Sequence, residues 1–579
     1  MFKSSSLFII VLIVFCAGCV LKNDSQENST AKTIWGDSLL LNETDYYQTL
    51  FPHAVVDAVS SHIASQVYEG LLMFNTKDLY VQPSIAERWM IDSAGTTYTF
   101  FLKKGVKFHD DVCFENGIGR EVTANDFNYC FKQLCTYSEN NKLFETTFKD
   151  ILVGANEYYA KSKTEKPSTE IEGIKVLDDY TLQLKVTQSS GTFLLKLATL
   201  ATAVFPKEGY DTYGNELKIG TGPFVFPKSG KDFKRLVLSR NVNYHVLDSS
   251  GKKLPYLDKI CFTFLPNKKD ELEAFKKGEI DAIIGLPSED VNTIVQKQIK
   301  KFQGDSAIYT LERIPEMITH FFEFNVTRPP FDNVKVRQAF NYAINRDRIV
   351  EVVLNNEAYG PAESGVVPPS FRDYDISKIK GYTYDPEKAR KLLAEAGYPG
   401  GKGFPSFKFL VNSGGQRNTS VAFEVEKQLI NVLGITINID VVSFPDKINA
   451  VQNGTADMYK NALGADYPSP ESFLWSFYGK TLPADKSKPS YPNTSRYFNQ
   501  EYDLLFEAGK KEINEQKCFE YFAKAEQLMM TEAPVIVLWY DESYQLKQSK
   551  VKNLFPNPLR YRNYTQVYKE TPINYPIID

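Results

Sequence analysis

Apolar and polar residues alternate along residues 97–108 (TYTFFLKKGVKF) and 180–188 (YTLQLKVTQ). That period of two predicts half-buried strands. Elsewhere the period lengthens to that of a helix. In residues 384–401 (YDPEKARKLLAEAGYPGG), Asp385 can cap and Pro386 fits the first helical position. Ala389, Leu392, Leu393 and Ala396 share one face, and Gly397 and Pro399 end the helix. A helix from about Asp270, a stop at Gly278 and an apolar strand from Ile280 follow the same plan, which residues 444–463 (FPDKINAVQNGTADMYKNAL) repeat around Gly454. Helices and strands alternating throughout indicate an α/β protein. Residues 81–205 are richer in strand patterns and suggest a subdomain. No short-period repeat interrupts this organisation.

The chain has 579 residues, too many for one hydrophobic core, so two or more lobes are expected. A formal net charge of −4 without a long basic block argues against a nucleic-acid partner. The N-terminus, MFKSSSLFIIVLIVFCAGC, has one lysine, an apolar stretch from Leu7 to Phe15, and small residues ending at Cys19. This is the layout of an export signal, and the stretch is short for a spanning helix. The segment Cys16-Ala17-Gly18-Cys19 resembles a bacterial lipobox, with residues 1–18 removed, Cys19 lipidated and residues 19–32 a flexible tether. Two or more acyl chains, at about 0.8 kcal/mol per buried CH₂, hold a protein stably on a bilayer. An uncleaved anchor or plain secretion is the alternative. Of the remaining cysteines, Cys113, Cys130, Cys135, Cys261 and Cys518, none forms a CxxC, so buried free thiols are expected for most.

Catalytic signatures are missing. There is no GxSxG, HExxH, GxxxxGK[ST] or EF-hand loop, so no enzyme and no cofactor is expected. His109-Asp110-Asp111 is the one local metal-like cluster, and three adjacent residues point different ways. More pointed is Asp466 in residues 463–478 (LGADYPSPESFLWSFY), a carboxylate inside an apolar, aromatic, proline-kinked run. It is a solvated turn residue, a catalytic group or a socket for a cation.

Residues 66–75 (QVYEGLLMFN), 84–111 (SIAERWMIDSAGTTYTFFLKKGVKFHDD), 220–226 (GTGPFVF), 275–283 (FKKGEIDAI) and 328–350 (RPPFDNVKVRQAFNYAINRDRIV) resemble the family 5 solute-binding proteins of ABC importers. Residues 384–399 do so as well, and such blocks run in family order over essentially the whole mature chain. The resemblance implies a two-lobed periplasmic binding protein fold, hinged on two crossing strands, with an extra subdomain in the larger lobe. Carried onto this sequence, the crossings fall near 317–321 and 539–543. The first lobe then spans 33–317, the second 318–540, and residues 541–579 return to the first. Two departures stand out: Leu50-Phe51-Pro52-His53 lacks an acid that many members carry, and Gly464 stands where some peptide receptors have a disulfide cysteine.

Ala465-Asp466-Tyr467 followed by Pro468 is similar to the oligopeptide-binding branch, in which the Asp receives the peptide's α-ammonium. An ionised acid in a poorly hydrated cleft needs such a partner. Were the strand through Lys460 to continue to Asp466, the two would share a face about 20 Å apart, a span for a short peptide whose carboxylate meets Lys460. Lys460 as a plain surface lysine is the competing reading, as a turn role is for Asp466. Trp539 and Tyr540, at the second crossing, are cleft walls or core. Together these imply a monomeric, non-catalytic lipoprotein on a bacterial membrane, facing the periplasm. It would deliver oligopeptides to an inner-membrane permease and its ATPase. The same fold binding a muropeptide, heme or a metal chelate is the alternative.

Overall fold

The computed structural model describes residues 33–570 apart from 35, 140, 142, 228–231, 287–290, 292–306, 372 and 414–415. The expected export signal, tether and lipidated Cys19 lie outside the described residues. Among the described residues no helix is long and apolar enough to cross a membrane.

Local sequence signals act where the patterns place them. Asp385 Oδ1 accepts the Lys388 N–H at 2.9 Å, opening the helix Pro386–Glu395, which buries Ala389 and Leu393. Ser443 caps the helix Phe444–Gln452, and Gly454, at φ +67°, turns the chain toward the strand Met458–Gly464. The strand Thr97–Leu102 buries alternate residues. It joins Ala86–Ile91, Thr181–Lys185 and Ile174–Asp178 in a separate four-stranded antiparallel sheet.

The molecule has the two-lobed α/β fold. Two long antiparallel strands, Tyr309–Phe324 and Val535–Gln548, pair from Tyr309↔Gln548 to Glu323↔Val535. Their register breaks between Pro315 and Thr319 and again at His320/Phe321. At one end Tyr309 and Leu546 pack with Leu272, Phe275 and Ile283. At the other end Phe322, Ile536, Leu538 and Trp539 pack with Phe340 and Phe409. The same two strands therefore serve both of these cores, and Met317, Phe321, Val535, Val537 and Tyr540 pack into a third, more extensive cluster as well. The strand Ala282–Leu286 flanks the pair on one side, and Met458–Gly464, Lys408–Asn412 and Asn438–Val442 extend it on the other. A four-stranded sheet of Ser38–Asn42, Lys259–Thr263, Arg235–Arg240 and Phe224–Val225 completes the first lobe. In a separate sheet the strand Thr33–Ile34 pairs with Tyr568–Glu570, which also pairs with Val551–Lys552.

The lobes also touch across the cleft. Gly191 N–H donates to Lys510 O at 3.1 Å, and Ser189 Oγ donates to Lys511 O at 2.7 Å. A Cβ on Gly191 would lie 2.3 Å from Glu512 O, so only glycine permits this approach. The short helix Phe193–Leu197 begins directly after this contact.

Candidate functional site

The cleft encloses a cavity of about 560 Å³, within the usual size of a small-ligand site. Its walls are the helix Ala58–Ala64, the stretch around Lys196 to Ala203, the 559–563 segment and, from the other lobe, Ala465, Asp466 and Tyr467. A second cavity of about 540 Å³ lies beyond the helix Phe193–Leu197, against Leu194, Leu195, Phe371 and Phe519.

Asp466 reaches the first cavity because the strand before it stops. Met458–Gly464 pairs with the first crossing strand as far as Ile318↔Gly464, and Ala465 N–H still bonds Met317 O at 3.0 Å. Tyr467 O then accepts from Ser469 N–H at 2.7 Å, turning the chain through Pro468 into the helix Glu471–Leu474. The Asp466 side chain is left exposed to the cavity and forms no hydrogen bond or ion pair with any described residue. Burial by the surrounding walls raises its pKa, and the Lys196 ammonium partly opposes the rise.

Tyr467 is buried beside it. Lys196, itself buried, donates to the Tyr467 hydroxyl at 3.1 Å and to Thr146 O at 2.8 Å, with its ammonium 4.5 Å from the ring centre. Burial lowers the Lys196 pKa, while the Glu471 and, more weakly, the Asp466 charges oppose that. Burial alone would raise the Glu471 carboxyl, yet the Lys196 and Lys510 ammonium groups hold it below its ordinary range.

The other proposed residues gather elsewhere. Lys460 is buried on the strand Met458–Gly464 and bonds His320 Nδ1 at 3.0 Å. His320 Nε2 lies 3.1 Å from Asp541 Oδ2. A carboxylate only accepts, so Nε2 carries the proton and Nδ1 accepts from Lys460. Arg417 pairs with Asp541 at 3.3 Å. Trp539 is fully buried and stacks on His320, centroids 4.3 Å apart and planes at 12°. Tyr540 is buried and donates to Gly365 O at 2.8 Å. Lys460, Trp539 and Tyr540 do not line the cavity that holds Asp466. The single strand imagined from Lys460 to Asp466 is corrected: it ends at Gly464, so the spacing along the sequence does not set the distance between the two side chains.

The cavity also carries charges that sequence patterns did not single out. Arg562 pairs with Glu43, which His62 also contacts at 3.1 Å. Arg560 Nε donates to Glu316 at 2.6 Å. Glu69 accepts from Tyr244 at 2.8 Å and Thr221 at 2.9 Å and lies 3.1 Å from His245. The one signal in the sequence was Lys196 itself, a cation inside the apolar run FLLKL.

Among the described residues no group of three His, Cys, Asp or Glu is placed to hold a metal ion. His109, Asp110 and Asp111 do diverge, toward Gly222 O, Gly119 N–H and the Tyr213 hydroxyl respectively. Cys113, Cys130, Cys135, Cys261 and Cys518 are free, and all but Cys113 are buried.

The dipeptide-binding protein of Escherichia coli strain K12 is 25% identical over 509 residues, spanning 86% of this chain and 88% of its own. Heme-binding protein A of Haemophilus influenzae is 26% identical over 555 residues, 93% of this chain and 94% of its own. The crystal structure of a periplasmic oligopeptide-binding protein from Borrelia burgdorferi matches with a TM-score of 0.68 at 27% identity, over 92% of this chain and 100% of that one. The family described as bacterial extracellular solute-binding proteins, family 5 Middle, matches residues 80–484. The chain therefore belongs to the family 5 solute-binding proteins, the substrate-binding components of ABC importers.

Proposed function

We propose that this receptor captures short peptides between its lobes, seats the α-ammonium on Asp466 and delivers the peptide to an inner-membrane ABC permease and its ATPase. Cys19 carries the lipid that keeps it at the membrane, and the lobes are divided at the two crossing strands. The observation that carries the reading is Asp466: a carboxylate facing the cavity with no partner among the described residues. A carboxylate left without a partner beside apolar walls is matched when a ligand supplies the counter-charge. The Tyr467 ring and the apolar walls remove water from around the pair, which strengthens it. Roomy space on both sides of the helix Phe193–Leu197 suits side chains of varied size, held with little discrimination.

The ligand carboxylate has a different destination from the one expected at Lys460. Arg560 and Arg562, although each also pairs with a protein carboxylate, line the same cavity as Asp466, whereas Lys460 does not. The dipeptide- and oligopeptide-binding relatives support peptide as the ligand class. A second reading, heme or another specialised solute, is favoured by the heme-binding relative, which matches 93% of the chain.

Native mass spectrometry of the protein lacking residues 1–19 tests this, comparing wild type with Asp466→Ala for co-purified ligand. A mixed set of short peptides, lost in the variant, is the expected result. A single non-peptide mass unaffected by the substitution would overturn the assignment in favour of the second reading.

A further inference from the structure

Arg560 and Arg562, on the wall of the first cavity, are each paired with a carboxylate, Glu316 and Glu43. Lys196 is not: among the described residues no carboxylate oxygen stands within 4 Å of its ammonium, which rests on the neutral Thr146 carbonyl and Tyr467 hydroxyl. Asp466 is likewise unpaired and follows the same wall, one residue before Tyr467. An unpaired cation from one lobe and an unpaired anion from the other thus face a single void. We propose that Lys196 is the resident counter-ion of Asp466, and that the α-ammonium of a bound peptide takes over that role. The inference rests on the peptide reading of Asp466.

The charges around Lys196 can be counted by element. Thr146, at the end of the helix Phe144–Thr147, offers only a carbonyl. Asp466 and Tyr467 face it from the loop, Glu471 from the helix Glu471–Leu474, and Lys510 from the helix Gln500–Lys511. With Lys196 and Lys510 positive and Asp466 and Glu471 negative, the empty cluster is neutral. A peptide ammonium adds one positive charge beside the buried Lys196. The excess is relieved when the Lys196 ammonium gives up a proton to solvent and stays as a neutral amine on Thr146 and Tyr467. Burial, which already lowers the Lys196 pKa, favours that step. Lys196 therefore opposes ammonium binding, although it lines the site.

Isothermal titration calorimetry on the full-length chain in detergent tests this, with trialanine and N-acetyl-trialanine as probes, at one pH in two buffers of different ionisation enthalpy. Lys196→Met keeps the aliphatic stem; Lys196→Gln keeps donors for Thr146 and Tyr467, should the first variant fold poorly. Wild type is expected to release protons on binding trialanine. Both variants are expected to release none and to bind trialanine about tenfold tighter, the scale of a relieved like-charge contact. Their affinity for the acetylated peptide should not improve. Weaker trialanine binding in the variants, or an equal change for both probes, would overturn the counter-ion role and leave the peptide reading intact. A wild type that takes up neither trialanine nor any short peptide would overturn both.

Discussion

Lys460 and Asp466 stand in one short stretch of sequence, yet their surroundings are opposite. At Lys460 the polar groups close on themselves: Lys460 bonds His320, His320 bonds Asp541, Arg417 pairs with Asp541, and Trp539 covers the imidazole. At Asp466 the carboxylate is left without a bond and faces a void. Lys460 is buried, whereas Asp466 is exposed to its cavity and unbonded. The bonded cluster lies on the crossing strands, and the unbonded carboxylate is the one proposed to meet a ligand.

The contrast would break most visibly at Trp539. Trp539→Ala should cost about 3–5 kcal/mol of stability in denaturant unfolding, because a fully buried ring and its stacking partner are lost. Its folded fraction should still take up peptide. Asp466→Asn is the mirror case. It should weaken peptide binding by about 2–5 kcal/mol in calorimetry while leaving the unfolding midpoint unchanged or raised. A large loss of stability instead would make Asp466 a structural acid.

Acidity separates the two regions further. Burial lowers the His320 pKa from 6.5 to about 4, so between those values the unfolded chain binds the proton that the folded chain refuses. Stability should therefore fall as pH drops from 6.5 to 4 and be insensitive to this group above 6.5, and His320→Gln should flatten that part of the profile. Asp466 shifts the other way. Its raised pKa means that peptide affinity, which needs the ionised form, should begin to decline at a higher pH than for an ordinary aspartate. The smallest effect is expected at Gly464. A Cβ there meets Ile318 Cγ1 at 3.6 Å and Met317 O at 3.8 Å, ordinary contacts. Gly464→Ala should change stability by no more than about 0.5 kcal/mol in thermal unfolding.

Much of the fold could be read from local chemistry. Asp385 and Pro386 start a helix where their side chains dictate, and Gly454 separates helix from strand because it alone takes the left-handed turn at no cost. Asp466 was legible as an anomaly, an acid in an apolar run. Its distance from Lys460 was not. Period-two reasoning carries a strand forward until something stops it, and here the chain turned through Pro468 after the last bond to Met317. Arg560 and Arg562 were invisible for a different reason: they reach the cavity only because the chain returns to the first lobe after the second crossing. Contacts between residues so far apart leave no periodic trace.

That return has a consequence for how the chain is made. Thr33 pairs with Glu570, and Glu43 with Arg562, so these two contacts of the opening segment cannot form until almost everything else has emerged. Contacts of such long sequence separation form late and slowly. Until then Thr33–Ile34 keeps an open edge, while Ser38–Asn42 can already pair with Lys259–Thr263 and Glu43 with His62. The finished lobe locks only when the last strand arrives.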